Sequence, residues 1–169
     1  VELRSDLERL KKVAQEAYQE LRTTLDLLNS QKAGYAYLAR ELSDLTRKFS
    51  ESVNMKVLFD CDIELLDKKV SGDVARQVRR LVQEALWNSL QHSMSETAIV
   101  NLKESKAGLM VTITDDGCGF DPDSVVTNHY GLRNMRERAE AINGSLFVTS
   151  QAGKGTQITL QIPREDIEG

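Results

Sequence analysis

Glu84, Asn88 and His92 fall at i, i+4 and i+8 of the run QEALWNSLQHS. A helix there would set a carboxylate, an amide and an imidazole in one row, displaced from the neighbouring leucines. Such a row can hold a cation, since Asn offers a neutral oxygen, and Glu can orient or deprotonate a nucleophile. A solvated helix face presents the same residue types, so the row decides nothing by itself. A second group stands in TDDGCGF, where the apolar run Leu109, Met110, Val111, Ile113 ends in two aspartates and a Gly-x-Gly. A tight hairpin would need one Asp-Gly or Asn-Gly pair and then a second strand at once. Here the chain goes on through FDPDSVVTNHY, which alternates poorly and reads as loop. A carboxylate at a strand end, Asp115, accepts strongly from an exocyclic amine such as N6 of adenine and repels the O6 of guanine. Gly117 and Gly119 would let backbone come close to a flat ring or a phosphate.

Two further groups follow. In HYGLRNMRER, Gly131 precedes the next helix, where backbone N–H groups and the helix dipole suit a phosphate. In GKGT, Gly153, Lys154, Gly155 and Thr156 precede the terminal strand. This is not a P-loop, because Gly155 and not Ser or Thr follows Lys154. Nor does DDGCGFDP carry the glycine and alternating acids of a dinucleotide fingerprint or an EF-hand loop.

The elements that must position these residues are legible from periodicity. Leu3, Leu7, Leu10, Ala14, Ala17, Leu21 and Leu28, with Thr24 filling the gap, form a heptad stripe free of Gly and Pro, so residues 1–30 read as one long helix. A bundle with another copy or with a further helix is its natural destination. NSQKAGY, residues 29–35, reads as a linker. A helix over Ala36–Glu51 follows, with Leu38, Leu42, Leu45 and Phe49 on one side, and then the strand MKVLFDCD. The spacing of Val74, Val78, Leu81, Val82, Ala85 and Leu86 predicts a strong helix over 73–92, with Asp73 as its N-cap. Strands are expected around Thr97–Glu104 and Leu109–Asp115, joined at KAG. A helix near Arg133–Ile142 closes on Asn143-Gly144. SLFVTSQ and TQITLQIP then form two strands joined by AGKG. Hairpin-joined strands predict an α/β two-layer sandwich, a mostly antiparallel mixed sheet with helices on one face.

Bulk properties narrow the function classes. The 169 residues hold one ordinary domain or a domain with an appendage. A net charge of −4 argues against a general nucleic-acid binder. No apolar run approaches the roughly 20 residues of a membrane span, and no signal peptide opens the chain. The first residue is Val, so the expectation is a piece of something longer. Cys61 and Cys118 make no metal spacing and read as free thiols in a reducing cytoplasm.

Taken together and in this order, the groups resemble the ATP-binding domain of sensor histidine kinases, in the superfamily that also holds gyrase, the ninety-kilodalton heat-shock chaperones and mismatch-repair ATPases. There a helix with Glu-x-x-x-Asn, a strand ending Asp-x-Gly-x-Gly and a late Gly-x-Gly-Thr surround one ATP. The resemblance covers about residues 54–163. It implies that Asp115 holds the adenine amino group, with Gly117 and Gly119 opening the pocket and starting a lid. It implies that Asn88 ligates Mg²⁺ and that Glu84 is the general base or orients the acceptor histidine. Gly131 and Leu132 would close over the phosphates, and His92 would lie near them. Gly153, Gly155 and Thr156 would line the adenine side, with the Thr156 hydroxyl supporting Asp115 directly or through water. The heptad helix looks like the second helix of a dimerisation hairpin, which divides the chain into 1–30 and a catalytic domain over 31–169. EALWNSLQHS and GLRNMRERA resemble the subclass partnered with response regulators that carry helix-turn-helix output domains, and NHYGLRNMRERA leans toward the nitrate/nitrite sensors. The implied setting is a cytoplasmic domain whose parent dimerises through its hairpin helices and sits in the inner membrane, with no direct nucleic-acid contact.

The chain departs from that pattern at two places. Gln91 stands where the subclass often carries Lys, which removes a phosphate-neutralising charge that Lys154 or an arginine of the 133–138 stretch would have to replace. The only histidines are His92 and His129, both inside the nucleotide domain. LARELSD resembles an acceptor site with Ser43 in the histidine's place, but too few residues separate it from MKVLFDCD for a second hairpin helix. The expectation is a domain that binds ATP but does not phosphorylate itself. The rivals are a clamp ATPase of the same superfamily, disfavoured by the short length, and a dimerisation and signalling module that has lost useful nucleotide binding.

Overall fold

The computed structural model describes residues 34–62, 69–105, 107–120 and 130–164. The heptad helix read over residues 1–30, most of the linker, and His129 lie outside the described residues.

Five strands form one sheet in the order β1-β2-β3-β5-β4, with β1 at Lys56–Cys61, β2 at Thr97–Ser105, β3 at Gly108–Asp115, β4 at Ser145–Ser150 and β5 at Thr156–Pro163. Only β1 and β2 pair in parallel, and helix α2 (Gly72–Asn88) lies in the connection between them. The other pairings are antiparallel, so the expected mostly antiparallel mixed sheet is what forms. Period-two alternation gives the sheet two unlike faces. Ala98, Val100 and Leu102 of β2, Leu109, Val111 and Ile113 of β3, and Ile158, Leu160 and Ile162 of β5 are buried in register on one of them. The opposite positions hold Thr112, Thr114, Gln157, Thr159 and Gln161. Asp115 ends the buried row between Ala98 and Thr156, which sets a carboxylate at the rim of the apolar layer.

Among the described residues, three helices cover the buried face. Helix α1 (Tyr35–Ser52) packs on β1 through the predicted Leu38, Leu42, Leu45 and Phe49, all buried. Every residue of the predicted α2 stripe is buried, and α2 lies between α1 and α3 (Tyr130–Glu140). An Arg79–Glu41 ion pair at 3.4 Å and an Arg138–Gln77 hydrogen bond at 3.3 Å tie α2 to its two neighbours. Such partly exposed pairs contribute little beside the apolar layer.

Helix ends differ from expectation in instructive ways. The N-cap of α2 is Ser71, not Asp73: its extended backbone lets Oγ accept from the Val74 N–H at 3.2 Å, while Asp73 is already helical and pairs with Arg76. The α-helical pattern stops at Asn88, and a π-helical turn over Ser89–Ser93 continues to Met94, whose φ is 55°. Among the described residues helix α3 spans Tyr130–Glu140, so Gly131 lies inside it and not before it. It ends in a Schellman arrangement, with the Asn143 N–H on Glu140 O at 3.0 Å and the Gly144 N–H on Ala139 O at 2.8 Å. The left-handed residue there is Asn143, at φ 51°, and not the glycine.

Candidate functional site

The end of β3 meets the end of α2 around Asp115. The Ser89 hydroxyl donates to Asp115 Oδ2 at 2.8 Å, and the Gly117 N–H donates to Oδ1 at 3.0 Å. Both Ser89 and Asp115 are buried. Thr156 lies beside Asp115 across the β3–β5 pair, yet its Oγ1 sits 2.9 Å from Ser150 Oγ. The direct side-chain hydrogen bond to Asp115 comes from Ser89, which is not among the expected site residues.

Behind Asp115 the two glycine loops are fastened to each other and to the π-turn. The Cys118 N–H donates to Ser93 O at 2.6 Å, and Cys118 O accepts from the Gly153 N–H at 2.6 Å. The Phe120 N–H donates to Ser150 Oγ at 2.9 Å. A Cβ at Gly117 would stand 2.1 Å from Ser93 O, one at Gly119 2.1 Å from Gln151 O, and one at Gly155 2.1 Å from Asp115 O. These glycines are needed because backbone meets backbone. Gly119 also lines the cavity.

The cavity itself has a volume of about 390 Å³, within the ordinary range for a small-molecule site. Ala85, Ser93, Phe120 and Ile158 join its wall, none of them among the expected site residues. Its other end is lined by Glu84 and Asn88 of α2, with Gly131 of α3 against them, and Leu132 of α3 and Gln91 and His92 of the π-turn also join the lining. Such π-turns are frequent at functional sites. A Cβ on Gly131 would lie 2.9 Å from Glu84 Oε1 and 3.0 Å from both amide atoms of Asn88. The N-terminal turn of α3 thus presses its backbone against the Glu84–Asn88 pair, where an anion would meet N–H groups and the positive end of the helix. The Asn88 amide oxygen is one hard ligand, too few for an all-protein cage and suited to a Mg²⁺ shared with phosphates, and the Glu84 carboxylate stands beside it as an acid or base. Among the described residues no group of three or more His, Cys, Asp or Glu gathers to hold a metal.

Neither cysteine competes for this chemistry. Both are free thiols. Burial, then the nearby Asp62 and Asp60, push the Cys61 thiol above its ordinary range, which makes it a poor nucleophile. Cys118 Sγ donates to His92 O at 3.2 Å.

Residues 73–166 match the family described as histidine kinase-, DNA gyrase B- and HSP90-like ATPases. The chain is 34% identical over 159 residues to Sensor protein VraS of Staphylococcus haemolyticus, covering 93% of this chain and 44% of that protein. It is 34% identical over 151 residues to Sensor histidine kinase LiaS of Bacillus subtilis, covering 89% of this chain and 41% of that one. The chain therefore spans less than half the length of these relatives. The blue-light activated histidine kinase EL346 of Erythrobacter litoralis superposes with a TM-score of 0.61 at 29% identity, over 76% of this chain and 41% of that one. The ATP binding domain of PrrB from Mycobacterium tuberculosis, 17% identical, shares the fold with a TM-score of 0.62, over 75% of this chain and 93% of that one. With a carboxylate fixed at one end of the cavity and a Glu–Asn pair at the other, the chain belongs to the histidine kinase-, DNA gyrase B- and HSP90-like ATPases, as the ATP-binding domain of a sensor histidine kinase.

Proposed function

We propose that this domain binds Mg²⁺-ATP and donates the γ-phosphoryl group to a histidine outside these 169 residues. The observation that carries the reading is the fixed Asp115 carboxylate sharing one cavity with Glu84 and Asn88. Asp115 accepts from the adenine amino group. Asn88 would hold the Mg²⁺, which when bound supplies charge neutralisation to the transferring phosphoryl group. Glu84 orients or deprotonates the incoming imidazole, and the N-terminal turn of α3 at Gly131 and Leu132 receives the phosphates. Residues 1–30 act as the second helix of a dimerisation hairpin, and residues 31–169 form the catalytic domain. The domain is the cytoplasmic part of a membrane-borne sensor whose partner is a response regulator with a helix-turn-helix output domain, a reading supported by the EALWNSLQHS and GLRNMRERA motifs and by the likeness to sensor proteins.

Calorimetry with Mg²⁺-ATP and Mg²⁺-GTP on the wild-type chain and on Asp115→Asn tests the reading. The substitution should weaken ATP binding by roughly 1.5–3 kcal/mol, the range for a hydrogen bond to a charged group. GTP should bind poorly throughout, and a separately supplied hairpin helix bearing histidine should become phosphorylated. The exposed Gln91, where a cation would neutralise phosphate, favours a second reading, a dimerisation and signalling module without useful nucleotide binding. No binding at millimolar ATP would sink the first reading in favour of that one.

A further inference from the structure

Ser89 opens the π-turn at the end of α2 and is 5% exposed, packed against an Asp115 that is 6% exposed. It is itself held from behind, because Ser93 Oγ donates to the Ser89 carbonyl at 2.6 Å and the Cys118 N–H fastens Ser93 to the loop after Asp115. The carboxylate torsion of an aspartate is soft and roughly two-fold. One N–H on Oδ1, from Gly117, leaves the carboxylate plane free to swing. The Ser89 hydroxyl on Oδ2 fixes that plane. A hydroxyl has a single proton, so with that proton on Asp115 the Ser89 oxygen presents only lone pairs to anything else. Ser89 and Asp115 both line the cavity. At Asp115 and Ser89 a ligand therefore meets two adjacent acceptors of set direction.

We infer that Ser89 is a positioning residue for base selection: by donating to Asp115 it orients the carboxylate and makes this end of the cavity accept an exocyclic amine and reject a ring carbonyl. The inference rests on the nucleotide reading above and adds the residue that enforces it. A Ser89 that merely filled space would alter stability, or affinity for all nucleotides alike. A positioning Ser89 alters the ratio between adenine and guanine nucleotides.

The test is calorimetry of Mg²⁺-ATP and Mg²⁺-GTP on the full 169-residue chain and on Ser89→Ala, Ser89→Thr, Asp115→Asn and the Ser89→Ala/Asp115→Asn pair. Ser89→Ala should weaken ATP roughly ten-fold or more, as expected for losing a hydrogen bond to a charged group, without weakening GTP, so the preference narrows. Ser89→Thr, which keeps the hydroxyl, should restore most of the preference. Because Ser89 acts through Asp115, adding Ser89→Ala to Asp115→Asn should change little, which is strong coupling in a double-mutant cycle. An unchanged ATP-to-GTP ratio in Ser89→Ala, an equal loss of both nucleotides, or effects that multiply in the double variant would each overturn the inference. If Asp115→Asn collapses ATP binding while Ser89→Ala matches wild type, the nucleotide reading stands and this inference alone falls. A wild-type chain that binds no ATP overturns both.

Discussion

At the Asp115 end of the cavity the polar groups are bonded to one another, whereas Glu84 and Asn88 at the other end, and Gln91 and His92 on the π-turn, make no side-chain hydrogen bond among the described residues. Burial follows the same division. Asp115, Ser89 and Ser93 are buried, Glu84 and Asn88 are half-exposed, and Gln91 and His92 are exposed. The first end is set before any ligand arrives, so recognition there loses little side-chain entropy. The second end keeps its donors and acceptors available for groups that come from outside. Under the proposed reading this is a division between holding a base, which is the same in every turnover, and handling a phosphoryl group, which changes bonding partners.

The comparison breaks most sharply at Glu84. If Glu84 serves transfer and not binding, Glu84→Gln should leave the calorimetric ATP affinity near wild type. The rate of phosphoryl transfer to a supplied histidine-bearing helix should fall by about 10²–10⁴-fold, the usual contribution of a positioned acid or base. An equal loss of affinity would place Glu84 with Asp115 as a binding residue. A wild-type transfer rate would remove it from the chemistry.

Much of the fixed end was legible in the sequence, and what escaped did so for physical reasons. Asp115, Gly117 and Gly119 announce themselves because a strand rarely ends in two acids and two glycines. Ser89 does not, because a serine on a helix beside a leucine looks like filler until the register of β3 brings a carboxylate to it. The π-turn has no sequence signature, since it differs from α-helix by one residue per turn and is set by what it packs on. Ser71 and Asp73 were equally good caps by type, and only the backbone conformation at Ser71 separates them. The apolar stripes of α1 and α2 and the strand pattern were readable throughout because burial enforces their periods. In Gly-x-Gly-Thr, Gly155 is required by the backbone of Asp115, whose carbonyl oxygen a Cβ would meet at 2.1 Å.

Gly155 offers a smaller and cleaner test of the fixed end. Gly153 and Gly155 share a φ of +76°, but a Cβ on Gly153 meets nothing within 4 Å, while one on Gly155 comes 2.1 Å from Asp115 O. Gly153→Ala should therefore show strain alone, about 1 kcal/mol in urea unfolding. Gly155→Ala adds displacement of the strand end and should be destabilised by about 2–3 kcal/mol, at the top of the range for a strained position. Equal losses would mean that the strand end yields to the added methyl, and that the fixed end is softer than its hydrogen bonds imply.

The open end predicts the smallest effect and the only gain. Gln91 is exposed and lines the cavity, so Gln91→Lys adds a mobile cation where the phosphates are proposed to lie, with nothing buried to displace. A unit charge about 4 Å from another is worth about 1 kcal/mol in water, so ATP affinity at low salt should rise by about five-fold. The gain should fade as added salt brings the screening length down to about 3 Å near 1 M. Lys154 is exposed and outside the cavity wall, so Lys154→Ala should leave ATP affinity unchanged at every salt concentration. A Gln91→Lys chain whose affinity neither rises nor acquires salt dependence would put the phosphates elsewhere. A Lys154→Ala chain that loses affinity would show which cation stands in for the missing lysine.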